Sequence, residues 1–280
     1  MSKKEQAVLI TGASSGIGEA TVRFMAERGY TVFAGYRKDK DAERLRRYQG
    51  DVRPVELDVA EDASVMAARR AVEEQLQGAG LRGLVNNAGL AVPSFFELVP
   101  LDELRFQFEV NFFGAVSVIQ RFLPLLRHAP EPRIVNISSI VGRFAAPLLG
   151  PYSSSKFALE ALSDTLRVEL RDWGIRVVTI EPGKIATNFS RAAETKIPHL
   201  PEGVELAAPY RRMADKARSA ASEKERGTAP ERVAEVVESA FRKRRPRPRY
   251  LVGADARMMA LIRRALPDSL FDRVVARARG

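Results

Sequence analysis

Short runs of β-branched and apolar residues alternate along this chain with longer stretches whose apolar positions recur at helical spacing. Ala7-Val8-Leu9-Ile10-Thr11 predicts a strand, and a helix follows from about Gly16 to Arg28, closed by Gly29. Thr31-Val32-Phe33-Ala34 predicts a second strand. Further strands are predicted at 53–57, 83–86, 133–137, 175–180 and 250–252, with helices near 62–77, 102–127, 152–172 and 230–241. This alternation predicts an α/β fold: a doubly wound, Rossmann-type parallel sheet in three αβα layers. Ligands of such sheets bind beyond the C-terminal ends of the strands.

The stretch 188–227 breaks the alternation. It is polar and then helical, and it follows the strand at 175–180, so it is expected to lie over the site as a helical lid. Residues 1–280 are thus predicted to form one domain, with 188–227 as lid and 254–280 as an amphipathic C-terminal extension. No repeat of solenoid length interrupts this picture.

Composition narrows the chemistry. The chain has no cysteine, which excludes disulfides, thiolate metal sites and a cysteine nucleophile. Its two histidines, His128 and His199, are too few for a multi-histidine centre, and no metal site is predicted. No run of eighteen apolar residues predicts a membrane span. Residues 1–5 are charged and lead straight into the first strand, so no secretory signal is expected. These features fit a cytoplasmic protein.

The net charge of +10 is almost all C-terminal: residues 242–280 hold twelve Lys/Arg against three Asp/Glu. Six of the basic residues lie in 242–249, broken by Pro246 and Pro248. Met258, Met259, Leu261, Ile262, Ala265 and Leu266 then fall at helical spacing among Arg257, Arg263 and Arg264. A shorter pattern uses Leu270, Phe271, Val274 and Val275. A basic amphipathic segment can make peripheral contact with an anionic membrane. It can equally pack on its own protein and cover a pocket, which is the favoured reading. Basic charge attracts nucleic acid non-specifically; without a nucleic-acid motif, no specific nucleic-acid partner is expected.

Thr11-Gly12-Ala13-Ser14-Ser15-Gly16-Ile17-Gly18 joins the first strand to the first helix. Glycines allow a tight turn and close approach to a diphosphate, and the helix N-terminus offers free N–H groups. Gly12 to Gly16 also matches the nucleophile elbow G-x-S-x-G. A hydrolase would then need a later acid and a histidine, and the two histidines stand in weak contexts. A P-loop would need Gly-Lys-Ser/Thr, and Gly18 is followed by Glu19.

The turn is the first of an ordered series. Asp58-Val59, Asn86-Asn87-Ala88-Gly89, Asn111, Ile137-Ser138-Ser139, Tyr152-x-x-x-Lys156 and Pro182-Gly183 follow it. Together, from about Ala7 to Thr187, the chain resembles the classical short-chain dehydrogenase/reductases. The stretches Glu109-Val110-Asn111 and 156–160 resemble members acting on retinol- or hydroxysteroid-like alcohols. The resemblance implies an NAD(P)(H)-linked oxidoreductase acting on CH–OH groups.

Tyr152 and Lys156 stand four apart on a predicted helix, hence on one face. Free tyrosine, with a pKa of about 10, is a poor base. A neighbouring ammonium and an oxidised nicotinamide would favour its phenolate. Tyr152 is therefore the candidate general acid/base. Ser139, just past a strand end, would hold and polarise the substrate oxygen. The resemblance adds that Lys156 binds the nicotinamide ribose and that Asn111 positions a water linking Lys156 to solvent.

In dinucleotide folds an acid after the second strand usually binds the adenosine ribose, and a basic residue there accepts a 2′-phosphate. Here Tyr36 takes the acidic position and Arg37 follows. A guanidinium binds phosphate with paired, charge-assisted bonds, so NADP(H) is expected over NAD(H). Ser14 or Ser15 could add a hydroxyl. By resemblance Asp58 bonds the adenine amino group, and Ile185 and Thr187 meet the carboxamide beside Pro182 and Gly183. Gly12, Gly16, Ile17, Gly18, Val59, Asn87, Ala88 and Gly89 complete the implied cofactor site.

Val92, Phe95, Ile140, Val141, Phe144, Leu149 and the lid residue Phe189 are candidate pocket walls. Their apolar character suits a hydrophobic alcohol, ketone or aldehyde. By resemblance the long helices 102–127 and 152–172 pair across a two-fold axis, implying a homodimer or homotetramer. Two other functions stay open at this point: a non-catalytic NADP-binding regulatory protein, and a membrane-associated module led by the basic tail.

Overall fold

The computed structural model describes residues 6–187, Phe189, 210–215 and 227–279. Strand β1 (Ala7–Ile10) turns Ala7 and Leu9 to one face and Val8 and Ile10 to the other, and all four are fully buried. That is the requirement for a strand covered on both sides. With β2 (Thr31–Tyr36), β3 (Asp51–Glu56), β4 (Gly83–Asn86), β5 (Arg133–Ile137), β6 (Arg176–Pro182) and β7 (Arg249–Val252) it forms a seven-stranded sheet ordered β3-β2-β1-β4-β5-β6-β7. Every pairing is parallel. The chain builds outward from β1 to β3 and then returns to place β4 on the other side of β1. That reversal opens a crevice at the C-terminal ends of β1 and β4.

One core layer joins the sheet to α1 (Gly16–Ala26), α2 (Asp39–Arg46) and α7 (Pro230–Arg242) through Val22, Met25, Leu45, Val233, Val237 and Phe241. The other joins it to α3 (Asp62–Leu76), α5 (Gly114–Arg127) and α6 (Gly150–Glu169) through Val65, Val72, Val118, Phe122 and Leu166. Arg133 is fully buried, donating to the carbonyls of Ala240 and Lys243 at 2.9 Å each. It thereby satisfies carbonyls at the end of α7 that the helix leaves free.

The long helix predicted over 102–127 is instead α4 (Leu101–Phe108), a π turn (Glu109–Phe113) and α5. Gly114 fixes the junction, because a Cβ there would lie 2.8 Å from Val59. Helix α2 escapes a periodicity reading because only Ala42 and Leu45 on it are buried.

Helices α8 (Ala254–Ala265) and α9 (Asp268–Arg279) turn Ala256, Met259, Ile262, Leu266, Phe271 and Val275 toward Ile140, Val141, Phe144, Ala146 and Leu149. Met258, Leu261 and Leu270 point outward. Most of the apolar stripe thus covers the protein itself. The basic run 242–248 precedes β7 and so lies at the opposite end of the sheet from α8. Among the described residues, no helix is long and apolar enough to cross a membrane. Most of the expected lid falls outside the described residues; 210–215 are helical.

Candidate active site

The glycine turn is fastened to the end of β4. Thr11 Oγ1 accepts the amide N–H groups of Asn87 (3.0 Å) and Ala88 (2.9 Å). Asn87 Nδ2 donates to the carbonyls of Thr11 (2.9 Å) and Gly12 (3.0 Å). Gly12 (φ +61°) and Gly16 (φ +56°) occupy the left-handed region that only glycine enters freely. A Cβ on Gly12 would lie 2.8 Å from Ala88 Cα, and one on Gly16 would lie 3.2 Å from Thr187 Cγ2. Ser15 is the N-cap of α1, yet its hydroxyl makes no capping bond. The first-turn N–H groups therefore stay available to an anion. A bare backbone cradle ending at a helix N-terminus fits a dinucleotide diphosphate. Arg44 of α2 buttresses it, bonding the Ser14 carbonyl and, at 2.5 Å, Glu19 Oε1.

At the ends of β2 and β3, Arg37 Nη1 lies 3.6 Å from Asp58 Oδ2 and the Arg37 side chain is 61% exposed. Asp58 Oδ1 also accepts the Ala60 N–H at 3.1 Å, so it caps the strand end as well. The two residues expected around the adenosine thus face one another. Val59 and Ile17 turn their side chains into the core, which leaves only their main chain for a ligand.

Tyr152 and Lys156 lie on α6, with Lys156 Nζ 5.6 Å from the centre of the Tyr152 ring. Lys156 Nζ donates to the Ile137 carbonyl at 2.9 Å. Asn111 sits in the π turn, a distortion that recurs at functional sites. Its Oδ1 accepts from Leu90 N (2.9 Å), and its Nδ2 donates to Leu90 O (2.9 Å) and Ser155 Oγ (3.0 Å). A Cβ on Gly89 would lie 3.3 Å from Asn111 Oδ1 and 3.8 Å from Lys156 Nζ. Asn111, Gly89 and Lys156 therefore lie together.

Ser139 opens a 3₁₀ turn (Ile140–Gly142), and its hydroxyl donates to the Pro182 carbonyl at 3.4 Å. Gly183 N donates to Val252 O at 2.9 Å, so the segment after β6 stays against β7. Ile185 is buried and Thr187 lies over Gly16.

Burial pushes the Tyr152 phenol up to about 12, opposed by the Ser139 hydroxyl beside it. Burial also pulls the Lys156 ammonium down to about 8, opposed by the Glu160 carboxylate one turn further on. The balance differs from the one expected of a Tyr-Lys pair alone. Burial is the larger of the two effects on the phenol, and it favours the neutral form.

Ile140, Val141, Phe144 and Leu149 cluster with Tyr152, and so do Leu251, Ala256, Met259 and Ala260 from β7 and α8. The Phe189 ring centre is 5.7 Å from that of Tyr152. Val92 and Phe95 are buried, and Phe95 stacks on Tyr210 at 4.2 Å. A groove of about 370 Å³ runs beside this cluster, lined by Phe95, Phe96, Ala146, Leu148, Val275 and Ala276.

Several supporting residues had no motif to announce them. Ser155 is one, held between the Asn111 side chain and the Tyr152 carbonyl. A buried relay is another: Asn86 Nδ2 to Asn136 Oδ1 (2.8 Å) and Asn136 Nδ2 to Ser163 Oγ (2.8 Å). Asn86 belongs to the Asn86–Gly89 motif, and the available signal for Asn136 was an asparagine inside a strand.

Residues 6–198 match the short chain dehydrogenase family. The NADPH-dependent 3-dehydrocapnine reductase of Ornithobacterium rhinotracheale is 34% identical over 273 residues, 95% of this chain and 94% of that protein. Human retinol dehydrogenase 16 is 34% identical over 286 residues, 97% of this chain and 88% of that protein. A short chain dehydrogenase from Burkholderia cenocepacia J2315 in complex with NADP superposes with a TM-score of 0.76 at 25% identity, over 98% of both chains. One from Burkholderia phymatum in complex with NAD gives 0.75 at 25% identity, over 91% of this chain and 93% of that one. With this fold, this glycine turn and these relatives, the chain belongs to the short-chain dehydrogenase/reductase family and is an NAD(P)(H)-dependent oxidoreductase acting on alcohol and carbonyl groups.

Proposed function

We propose that this enzyme reduces lipophilic ketones or aldehydes with NADPH, using Tyr152 as the proton donor. The observation that carries this reading is the placing of Tyr152 among Ile140, Val141, Phe144 and Leu149, with the Ser139 hydroxyl beside it and Lys156 Nζ 5.6 Å from its ring centre. A general acid for carbonyl reduction must hold its proton at working pH, and this one does. The apolar walls Ile140, Val141, Phe144, Leu149 and Met259 select a lipophilic substrate.

The glycine turn and α1 N-terminus would hold the diphosphate, Arg37 the 2′-phosphate, Asp58 the adenine and Lys156 the nicotinamide ribose. Val59, Asn87, Ala88 and Gly89 would line the cofactor, with Pro182, Gly183, Ile185 and Thr187 beside the nicotinamide. The bound nicotinamide supplies the hydride. Ser139 donates a hydrogen bond to the substrate oxygen and orients it toward Tyr152. Tyr152 passes its proton to that oxygen as negative charge develops there. Lys156 stabilises the phenolate left behind, and Asn111 fixes the polar end through which the proton returns.

The low Lys156 value sets a pH limit. Its folded value of about 8 lies below the usual 10.5, so the ammonium is present at neutrality and is lost as pH rises through about 8. Reduction should therefore fall above about pH 8. Glu160→Gln removes the carboxylate that raises Lys156 and should move this limb to lower pH. Rate–pH profiles of kcat/KM for the two proteins check it, and an unmoved limb counts against Lys156 as the titrating group.

Arg37→Ala should weaken NADPH roughly 10- to 100-fold, the worth of a charge-assisted hydrogen bond of about 1.5–3 kcal/mol. NADH should change little. Equal losses for both cofactors in parallel titrations would remove the 2′-phosphate role.

Leu101, Phe106, Phe113, Phe157 and Val168 stay exposed on α4, the π turn and α6. A second copy of the chain packed on this face would bury them, which supports a homodimer or homotetramer. The lid role of 188–227, the cytoplasmic placement and any peripheral membrane contact belong to the same proposal. Outward Met258, Leu261 and Leu270 are the membrane contact's support.

A further inference from the structure

Glu181 is the penultimate residue of β6, and its side chain is fully buried. A carboxylate in such a place is costly unless it is paired. Its Oε1 accepts from Arg143 Nη2 at 2.8 Å and lies 3.3 Å from Arg249 Nε. Arg249 also bonds Glu160 Oε2 (3.0 Å) and Asp164 Oδ1 (2.5 Å) on α6. Two guanidinium groups thus join β6, β7, α6 and the turn after β5.

The pieces held together are those that carry the chemistry. Arg143 closes the 3₁₀ turn that Ser139 opens. Glu160 lies one turn beyond Lys156 on α6. Glu181 directly precedes Pro182, whose carbonyl accepts the Ser139 hydroxyl at 3.4 Å. The turn is therefore clamped twice to the same two residues of β6, by Ser139 on the Pro182 carbonyl and by Arg143 on the Glu181 carboxylate. The first contact is long for a hydroxyl bond and weak alone. The turn also runs close over α6: a Cβ on Gly142 would lie 2.9 Å from Ser138 Oγ and 3.2 Å from Glu160 Cγ. Without Arg143 the turn loses one of these two clamps and keeps the weaker one.

We propose that Arg143 and Glu181 are positioning residues that hold Ser139 in register with Tyr152. This role rests on the proposed reading of Tyr152 and Ser139 as the proton-handling pair. An Arg-carboxylate bond at a protein surface contributes little to stability. Here the side chain of Arg143 is partly exposed while its partner is fully buried, so the contact is suited to fixing a geometry.

The test is a double-variant cycle on NADPH-dependent reduction, with the aliphatic or aromatic ketone that the parent enzyme reduces fastest. Arg143→Met keeps the side-chain stem and removes the charge; Glu181→Gln keeps the shape. Each should lower kcat about tenfold, as expected for a reacting group displaced by a fraction of an ångström. NADPH affinity, read by its fluorescence on binding, should stay within about twofold. In a Ser139→Ala background, Arg143→Met should cost less than about twofold more, because the hydroxyl it positions is gone. Arg143→Lys should recover part of the loss. If Glu181→Gln fails to fold, the cycle with the partly exposed Arg143 still decides the matter. Losses that multiply in the double variant, or an Arg143→Met enzyme as fast as the parent, overturn the positioning role alone. A parent enzyme that reduces no ketone or aldehyde overturns the underlying reading, and the positioning role with it.

Discussion

Tyr152→Phe is expected to lower kcat for ketone reduction by about a thousandfold or more while NADPH affinity stays within about twofold. The substitution deletes one oxygen and leaves the ring among Ile140, Val141, Leu149 and Met259, so the pocket keeps its shape. What disappears is the proposed proton donor. The groups nearest the ring are not placed to replace it. Ser139 is an alcohol, and Lys156 Nζ is directed to the Ile137 carbonyl. Cofactor binding should survive because the glycine turn, Arg37 and Lys156 are untouched. Parallel measurements of NADPH affinity and single-turnover reduction separate the two effects. Near-normal turnover would remove Tyr152 from the chemistry.

The same variant also bears on direction. A phenol raised to about 12 releases its proton reluctantly in the free protein. Alcohol oxidation needs the opposite state, in which Tyr152 accepts a proton. The positive charge of an oxidised nicotinamide is the term that would bring the phenol down for that reaction.

Much of this was legible in the sequence. The strand runs were readable because a strand buried on both faces must be almost wholly apolar, as β1 is. Many of the candidate site residues could be picked out because they belong to short local patterns: the glycine turn, the Tyr152–Lys156 helix face, and Asn86 to Gly89. Interactions between distant segments were not. Arg143 and Glu181 are 38 positions apart, and Glu160 and Arg249 are 89 apart. Neither pair has any local signature, and Glu181 interrupts a strand that otherwise reads as apolar. The π turn was equally hidden, since a helical periodicity passes through Asn111 with no mark of the extra residue. The Tyr152 value was missed for a related reason. Spacing places the ammonium beside the phenol, but only the packed structure shows how far water is removed from both.

Gly18→Ala is the second large effect, and it acts at the other end of the crevice. Gly18 is buried in the first turn of α1. A Cβ there would collide with the Gly12 carbonyl oxygen and lie 2.5 Å from Asn87 Nδ2. Neither neighbour can yield cheaply. The carbonyl is backbone, and Asn87 is held by the Thr11 and Gly12 carbonyls at 2.9 and 3.0 Å. The turn itself must move, which breaks the staple to β4 and shifts the N–H groups offered to the diphosphate. Losing a hydrogen bond from these N–H groups to the charged diphosphate costs about 1.5–3 kcal/mol, so NADPH and NADH should both weaken by roughly 10- to 100-fold. That equality is the diagnostic feature. Arg37→Ala separates the two cofactors because it touches only the 2′-phosphate, whereas Gly18→Ala acts on the diphosphate they share. Calorimetric titration of both cofactors against both variants reads the contrast directly, with circular dichroism confirming that the sheet and helices persist. Undiminished binding of both cofactors to Gly18→Ala would mean that the diphosphate lies elsewhere. A nicotinamide presented to Tyr152 from the crevice between β1 and β4 would then be untenable.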